Sequence, residues 1–229
     1  ALPAGRVASV TDFSGRMVRY EYDGNGDLVA CVSPAVTGTP NGNDFPGGKT
    51  NRYTYSAGYL DDRENHLLLS VIDASGQTTH QHVYQHNQTD FDFLRCISIQ
   101  RWTNTPTMIS YLPQVPTPSN QLAVLRCVMN DPVGDVTECF YDARNRLVKL
   151  QEFTGRATPG VPVTDTVNRP TGKLRVDDPE YFETQWTWNN DSLRISTKEP
   201  TKLEFPNRMF VYQSDFDPAT PARKRADLR

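Results

Sequence analysis

The chain has 229 residues, enough for a sizeable core in one large or two small domains, and is rich in Tyr, Phe, Trp, Pro and Gly. Its formal net charge of −3 argues against a general nucleic-acid binder, which needs a basic surface. No apolar run approaches the ~20 residues of a membrane helix, and no window sustains helical periodicity for long before Pro or Gly interrupts it.

The expected elements are therefore short strands. In chain order they lie near 5–12, 16–22, 27–33, 50–56, 66–72, 77–86, 93–102, 122–130, 135–141, 146–153, 181–188, 193–198 and 202–212. Stretches 34–49, 57–65, 103–120 and 154–180 read as loops or insertions. The last, with Thr-Pro-Gly, Val-Pro and Arg-Pro-Thr-Gly, is the best hinge or boundary candidate. This gives a hairpin block over 1–153, a Pro/Gly-rich insertion over 154–180, a more divergent hairpin block over 181–212, and a polar tail over 213–229. Arg223, Lys224, Arg225 and Arg229 in that tail read as a solvated segment.

One phrase recurs. Asp12-Phe13-Ser14-Gly15, Asp73-Ala74-Ser75-Gly76 and Asp131-Pro132-Val133-Gly134 each follow one strand and lead into another that ends on an aromatic. Asp can bond its own backbone two residues on, Pro presets φ, and Gly relieves crowding. The phrase thus predicts a type I turn closing a hairpin with a four-residue loop. A second turn follows the aromatic strand. Tyr22-Asp23-Gly24-Asn25-Gly26-Asp27-Leu28 matches Tyr141-Asp142-Ala143-Arg144-Asn145-Arg146-Leu147 position for position. Asp23 and Asp142 open these turns. Tyr22, Tyr55, Tyr84, Tyr141 and Trp188 are the expected packing anchors.

These residues resemble the YD-repeat, or Rhs-repeat, family, named for the pair seen at Tyr22-Asp23 and Tyr141-Asp142. Tyr55-Ser56, Tyr84-Gln85 and Trp188-Asn189 keep the aromatic and lose the Asp. The resemblance implies an all-β fold of tandem antiparallel hairpins, forming a curved ribbon or part of a spiral shell. It implies a non-catalytic scaffold, a wall segment of a larger secreted or toxin-associated bacterial shell that encloses or displays another domain. Its partners would be further repeats of the same chain, a shell protein or an enclosed toxin domain, at the cell surface or outside the cell. The self-cleaving core signature that follows the repeats in toxin members, close to Asp-Pro-x-Gly-Leu, has no match here. Neither autoproteolysis nor a toxic payload carries over. The competing reading is a carbohydrate- or protein-binding β module of an adhesin, in which Tyr20/Tyr22, Tyr53/Tyr55, Tyr181/Trp186/Trp188 or Phe210/Tyr212 form an open stacking platform, although cross-strand packing explains the same aromatics with less.

Other chemistry finds little support. His80, His82 and His86 share a strand face by even spacing, but His82 and His86 lie roughly 13 Å apart on a regular strand. An exposed polar face is expected there in preference to a zinc or copper site, and no cofactor is expected. Asp61-Asp62, Asp90/Asp92 and Asp177-Asp178 read as loop acids. No nucleophile elbow, phosphate loop or dinucleotide fingerprint occurs. Cys31, Cys96, Cys127 and Cys139 fall on strands and are expected as buried thiols, with Cys127–Cys139 the pairing to test first.

Overall fold

A computed structural model describes residues 5–102 and 104–200, and the backbone of 208–209. The expected basic tail, and the expected strand 202–212 apart from 208–209, lie outside the described residues. The chain divides into two compact units, 1–106 and 107–229. Both are all-β and antiparallel.

The first unit holds β1 (Ser9–Thr11), β2 (Met17–Tyr22), β3 (Leu28–Val32), β4 (Thr50–Tyr55), β5 (Leu68–Ile72), β6 (Thr78–Tyr84) and β7 (Cys96–Arg101). Each strand pairs with the next in sequence. The second holds β8 (Thr107–Pro113), β9 (Leu125–Asn130), β10 (Asp135–Tyr141), β11 (Leu147–Arg156), β12 (Tyr181–Trp188), β13 (Arg194–Lys198) and β14 (Arg208–Met209), paired in the same serial way. In neither unit, among the described residues, does a late strand return to an early one to close a barrel. The only helical segments described are two three-residue 3₁₀ turns, Asp62–Glu64 and Pro118–Asn120.

β8 corrects the expected loop over 103–120. Pro106 precedes it, Pro113 ends it, and Pro116 and Pro118 follow closely, so the segment reads as turn-rich. Proline is tolerated at a strand's end, however, and Met108 to Pro113 pair with Asn130 to Leu125 along β9.

The two units bury their residues differently. In the first, the buried apolar residues described are Ala30 and Val32. The registers place Tyr20 and Cys31, and likewise Tyr53, Val71 and His80, side by side on one half-buried face. In the second unit the segment after β11 lies back over the sheet as a strap. Val163 enters a core formed by Val128, Val136, Phe153 and Ala157. Asn130, fully buried, donates through Nδ2 to the Thr158 and Val161 carbonyls at 2.8 and 2.9 Å. Arg156 and Thr171 exchange backbone hydrogen bonds, and Ala157 N–H donates to Gly134 O at 2.9 Å. The Pro/Gly-rich segment is thus tied to the sheet by backbone as well as side chains.

Beneath the strap lies a charged group. Glu138 is almost wholly buried, between Val136 and Phe140 on the apolar side of β10. It accepts from Arg126 Nη1 at 3.3 Å on β9 and from Arg169 Nη1 on the strap. Arg126 also reaches Asp165, which completes a chain of alternating charges. Lys149 sits 4.1 Å from the Phe140 ring centroid and Arg169 4.9 Å from that of Phe153, so the cations also cover the aromatic surface.

Cys127 and Cys139 do face each other across β9 and β10, yet all four cysteines are thiols. Asp131 N–H donates to Asp135 O, and counting by twos from there puts Cys127–Cys139 at a hydrogen-bonded pair of the ladder. Side chains at such pairs stand farther apart than a disulfide's usual Cβ separation of about 3.5–4.5 Å. Only Cys139 is fully buried, where the expectation was four buried thiols.

Candidate functional site

The repeated chemistry of this chain is its joints. In each short turn, Asp (or Asn) at the first position donates its N–H to the carbonyl four residues on, while the fourth residue's N–H returns to its own carbonyl. Its Oδ1 then accepts from the backbone N–H groups two and four residues ahead. Asp12, Asp23, Asp73, Asp131 and Asp142 all do this, with the Oδ1 bonds between 2.8 and 3.0 Å. Asn189 does the same at 3.0 and 2.9 Å. Loss of the aspartate in Trp188-Asn189 therefore costs the turn its charge and none of these bonds.

The loop closed this way has three residues, a correction to the expected four. The fourth position is left-handed throughout: Gly15, Gly26, Gly76 and Gly134 have φ of 83, 88, 83 and 91°, Asn145 and Ser192 57 and 60°. A type I turn followed by a left-handed bulge matches the right-handed twist of the strands it joins.

Two of the three long connections of the first unit, those after β4 and β6, close by the same bonds. Ser56 N–H donates to Leu67 O and receives His66 N–H; Gln85 N–H donates to Arg95 O and receives Leu94 N–H. His66 and Leu94 accordingly occupy the left-handed position, with φ of 67 and 65°. Tyr55-Ser56 and Tyr84-Gln85 thus open the same joint with residues inserted inside it.

Where an aromatic precedes the joint, its polar atom reaches back to the backbone of the preceding segment. Tyr22 Oη donates to Val7 O at 3.1 Å, Tyr55 to Leu28 O at 3.0 Å and Tyr84 to Leu68 O at 3.0 Å; Trp188 Nε1 donates to Leu147 O at 2.9 Å. Tyr141 differs. Burial, with the Cys139 and Cys127 thiols beside it, pushes its phenol up to about 12.

Three of the turn carboxylates, Asp12, Asp73 and Asp142, are pushed below the usual carboxylate range. Hydrogen bonds from the Ser14 hydroxyl and the Arg16 side chain hold Asp12 far below its usual range, and the Ser75 hydroxyl and Gln77 N–H lower Asp73. Burial works against Asp142, but bonds from Arg146 and Arg144 outweigh it and lower it too. A depressed carboxyl stabilises the fold above its unfolded value, near 3.8, and that contribution is lost as pH falls through the folded value. Asp73→Asn keeps the acceptor and drops the charge, as Asn189 does. It should leave the melting temperature at pH 7 little changed and flatten its fall between pH 4 and 2. Asp73→Ala should lower it at every pH. An acid limb as steep in Asp73→Asn as in the parent protein would refute the assignment.

The histidines separate. His80 and His82 stack along β6 with centroids 6.3 Å apart, and burial lowers His82. His86 lies in the next loop, bonded to Glu64 at 2.7 Å and stacked on Tyr59. Among the described residues no three metal-ligating side chains gather. His66 clips Asp27 at 2.8 Å, and that hydrogen bond raises it. The clip's stabilisation is full below the ordinary histidine value of 6.5 and lost as pH rises through the raised one. The acid pairs are loop residues. Asp61 caps the first 3₁₀ turn and pairs with Arg63, Asp90 accepts from Asn87, and Asp177-Asp178 edge a shallow depression with Glu183.

Two groups of residues escaped the sequence reading. Asn189, His66 and Leu94 carry the joint without its signature. The set of Arg126, Glu138 and Arg169 could have been sought from one signal: Glu138 alternates with Val136 and Phe140 on what should be an apolar face.

No characterised protein sequence matches this chain. Two crystal structures align with 89% of it: TcdB2-TccC3, at 15% identity and a TM-score of 0.41, and TcdB2-TccC3 without its hypervariable C-terminal region, at 14% and 0.40. The chain spans about a tenth of the length of either. Residues 3–35, which hold the Asp12 turn, Tyr22 and the Asp23 turn, match the RHS Repeat family. The joints of that matched segment recur in both units of the chain.

Proposed function

We propose that this Rhs-repeat scaffold serves as a wall segment of a larger shell that encloses or displays another domain, without catalysing a reaction itself. One observation carries the reading: the repeated polar groups are spent on joining strand to strand. The turn carboxylates bond their own backbone, and Tyr22, Tyr55, Tyr84 and Trp188 bond the neighbouring strand. A set of residues so occupied maintains a surface and leaves little for substrate. The partners would be further repeats of the same polypeptide or a shell protein, and the location extracellular.

Electron microscopy of the natively expressed polypeptide that contains this chain tests it. The expected image is a hollow particle whose wall includes these hairpins. Hairpins standing outside a particle, or a particle without a cavity, would overturn the reading.

A further inference from the structure

The connections after β2, β4 and β6 follow one another along a single margin of the first unit, because each strand pairs antiparallel with the next. Two histidines join them in series. His66, which seals the second connection, places Nδ1 2.8 Å from Oδ2 of Asp27 in the first. Glu64, also in the second, holds His86 of the third, Oε2 to Nδ1, at 2.7 Å. Around that bond Tyr59 stacks on the His86 ring with centroids 4.7 Å apart, and Gln88 Nε2 donates to Asp61 and Glu64, each at 3.3 Å. Each of these connections is thus stitched to its neighbour through an imidazole and a carboxylate.

The second unit stitches the matching margin differently. Arg146 and Arg144 of the Asp142 turn donate to the Asn189 and Asn190 carbonyls at 2.9 and 2.7 Å. A guanidinium keeps its charge, whereas an imidazole changes charge within roughly pH 5–8. Asp27, with Asp62 and Asp23 nearby, faces His66, and the hydrogen bond to Asp27 raises it. The Tyr55 phenol also borders Asp27. His86 meets Glu64, whose side chain is only 8% exposed, and the Tyr59 phenol, Oη to Nε2 at 3.4 Å. Asp61, reached through Gln88, is already paired with Arg63 at 2.7 Å. A carboxylate kept from water gains a balancing charge from imidazolium; it loses that charge, though not the hydrogen bond, when the imidazole is neutral.

We infer that the first unit carries a proton-operated seam: protonated His66 and His86 lace its three connections together along one margin, and loss of those protons loosens the inserted segments 57–65 and 86–93. The seam is tightest in mild acid, between the ordinary carboxylate range and the histidine value of 6.5, and slackens as pH rises through the raised value of His66. What it steadies is an exposed apolar display, since Leu60 is wholly exposed and Phe91 half exposed on these segments. The device is independent of the wall reading, because it needs only the first unit's own connections.

Hydrogen–deuterium exchange of the full chain, corrected for intrinsic rates, at about pH 5.5 and about pH 8.5 tests it. The amides of Asn65, Asp90 and Phe93 should open about tenfold more often at the higher pH, while those of Asn145 and Ser192 in the second unit's turns stay as they are. The double variant His66→Gln with His86→Gln keeps a side-chain donor at both positions and cannot gain a proton. It should show the parent's high-pH openness at both values. Asp27→Asn with Glu64→Gln, which leaves both imidazoles and removes the charges they answer, should flatten the response likewise. Equal protection of the parent at both values, the same change at Asn145 and Ser192, or a pH response retained in either double variant would each overturn the inference.

Discussion

Glu138→Ala is expected to destabilise the second unit by about 3–5 kcal/mol, the usual cost of breaking one partner out of a buried charge pair. The parent arrangement places one carboxylate against two guanidinium groups, with Arg126 only 11% exposed in its side chain. Removing the carboxylate leaves Arg126 buried without its partner on the sheet and takes from Arg169 its ion pair to the sheet. The strap should then loosen, because Arg169 is one of its principal charged attachments. Urea unfolding followed by tryptophan emission gives the magnitude, and amide exchange over 157–171 reports the strap. The double variant Glu138→Leu with Arg126→Leu should recover much of the loss, because well-packed apolar residues often replace a buried pair at no cost. A Glu138→Ala protein as stable as the parent would show that the carboxylate contributes nothing there.

The second large effect concerns Gly155. A Cβ built on this residue would lie 2.6 Å from Thr171 O and still closer to Gly172 O, both backbone atoms that cannot swing aside. Gly155→Val must push the strap off β11 and break the paired Arg156–Thr171 backbone bonds. Overpacking of this kind costs about 1–3 kcal/mol, and the lost hydrogen bonds add roughly 1 kcal/mol each. A total near 3–4 kcal/mol is expected as a fall in the urea midpoint. Gly24→Ala is the control, since nothing lies within 4 Å of its Cβ; it should change the midpoint little. Equal behaviour of the two variants would mean that the strap does not rest on β11 as described.

The contrast between these features and the turns shows what a sequence displays. Asp12, Asp73 and Asp131 were legible because their bonding is local: the acceptor, the glycine and the strand are contiguous, so the pattern survives in one dimension. β8 was hidden by its flanking prolines, although the prolines border the pairing segment and do not interrupt it. Asn189 was read as a lost aspartate because the eye follows charge, while the joint needs only the acceptor oxygen. The strap reads as apolar-poor, and it is, yet Ala157 and Val163 reach the core while backbone and Asn130 supply the rest. Glu138 and Arg169 are 31 residues apart, and nothing local announces that they meet.

The joint's indifference to what it encloses has a consequence for variation. Between Ser56 and His66, and again between Gln85 and Leu94, several additional residues are accommodated while the same two backbone bonds seal the opening. Strand register downstream is therefore insulated from insertions made there, so this margin can lengthen, shorten or exchange its segments without re-threading the sheet. New surface chemistry can be written at that border, one cassette at a time, on a fabric that stays the same.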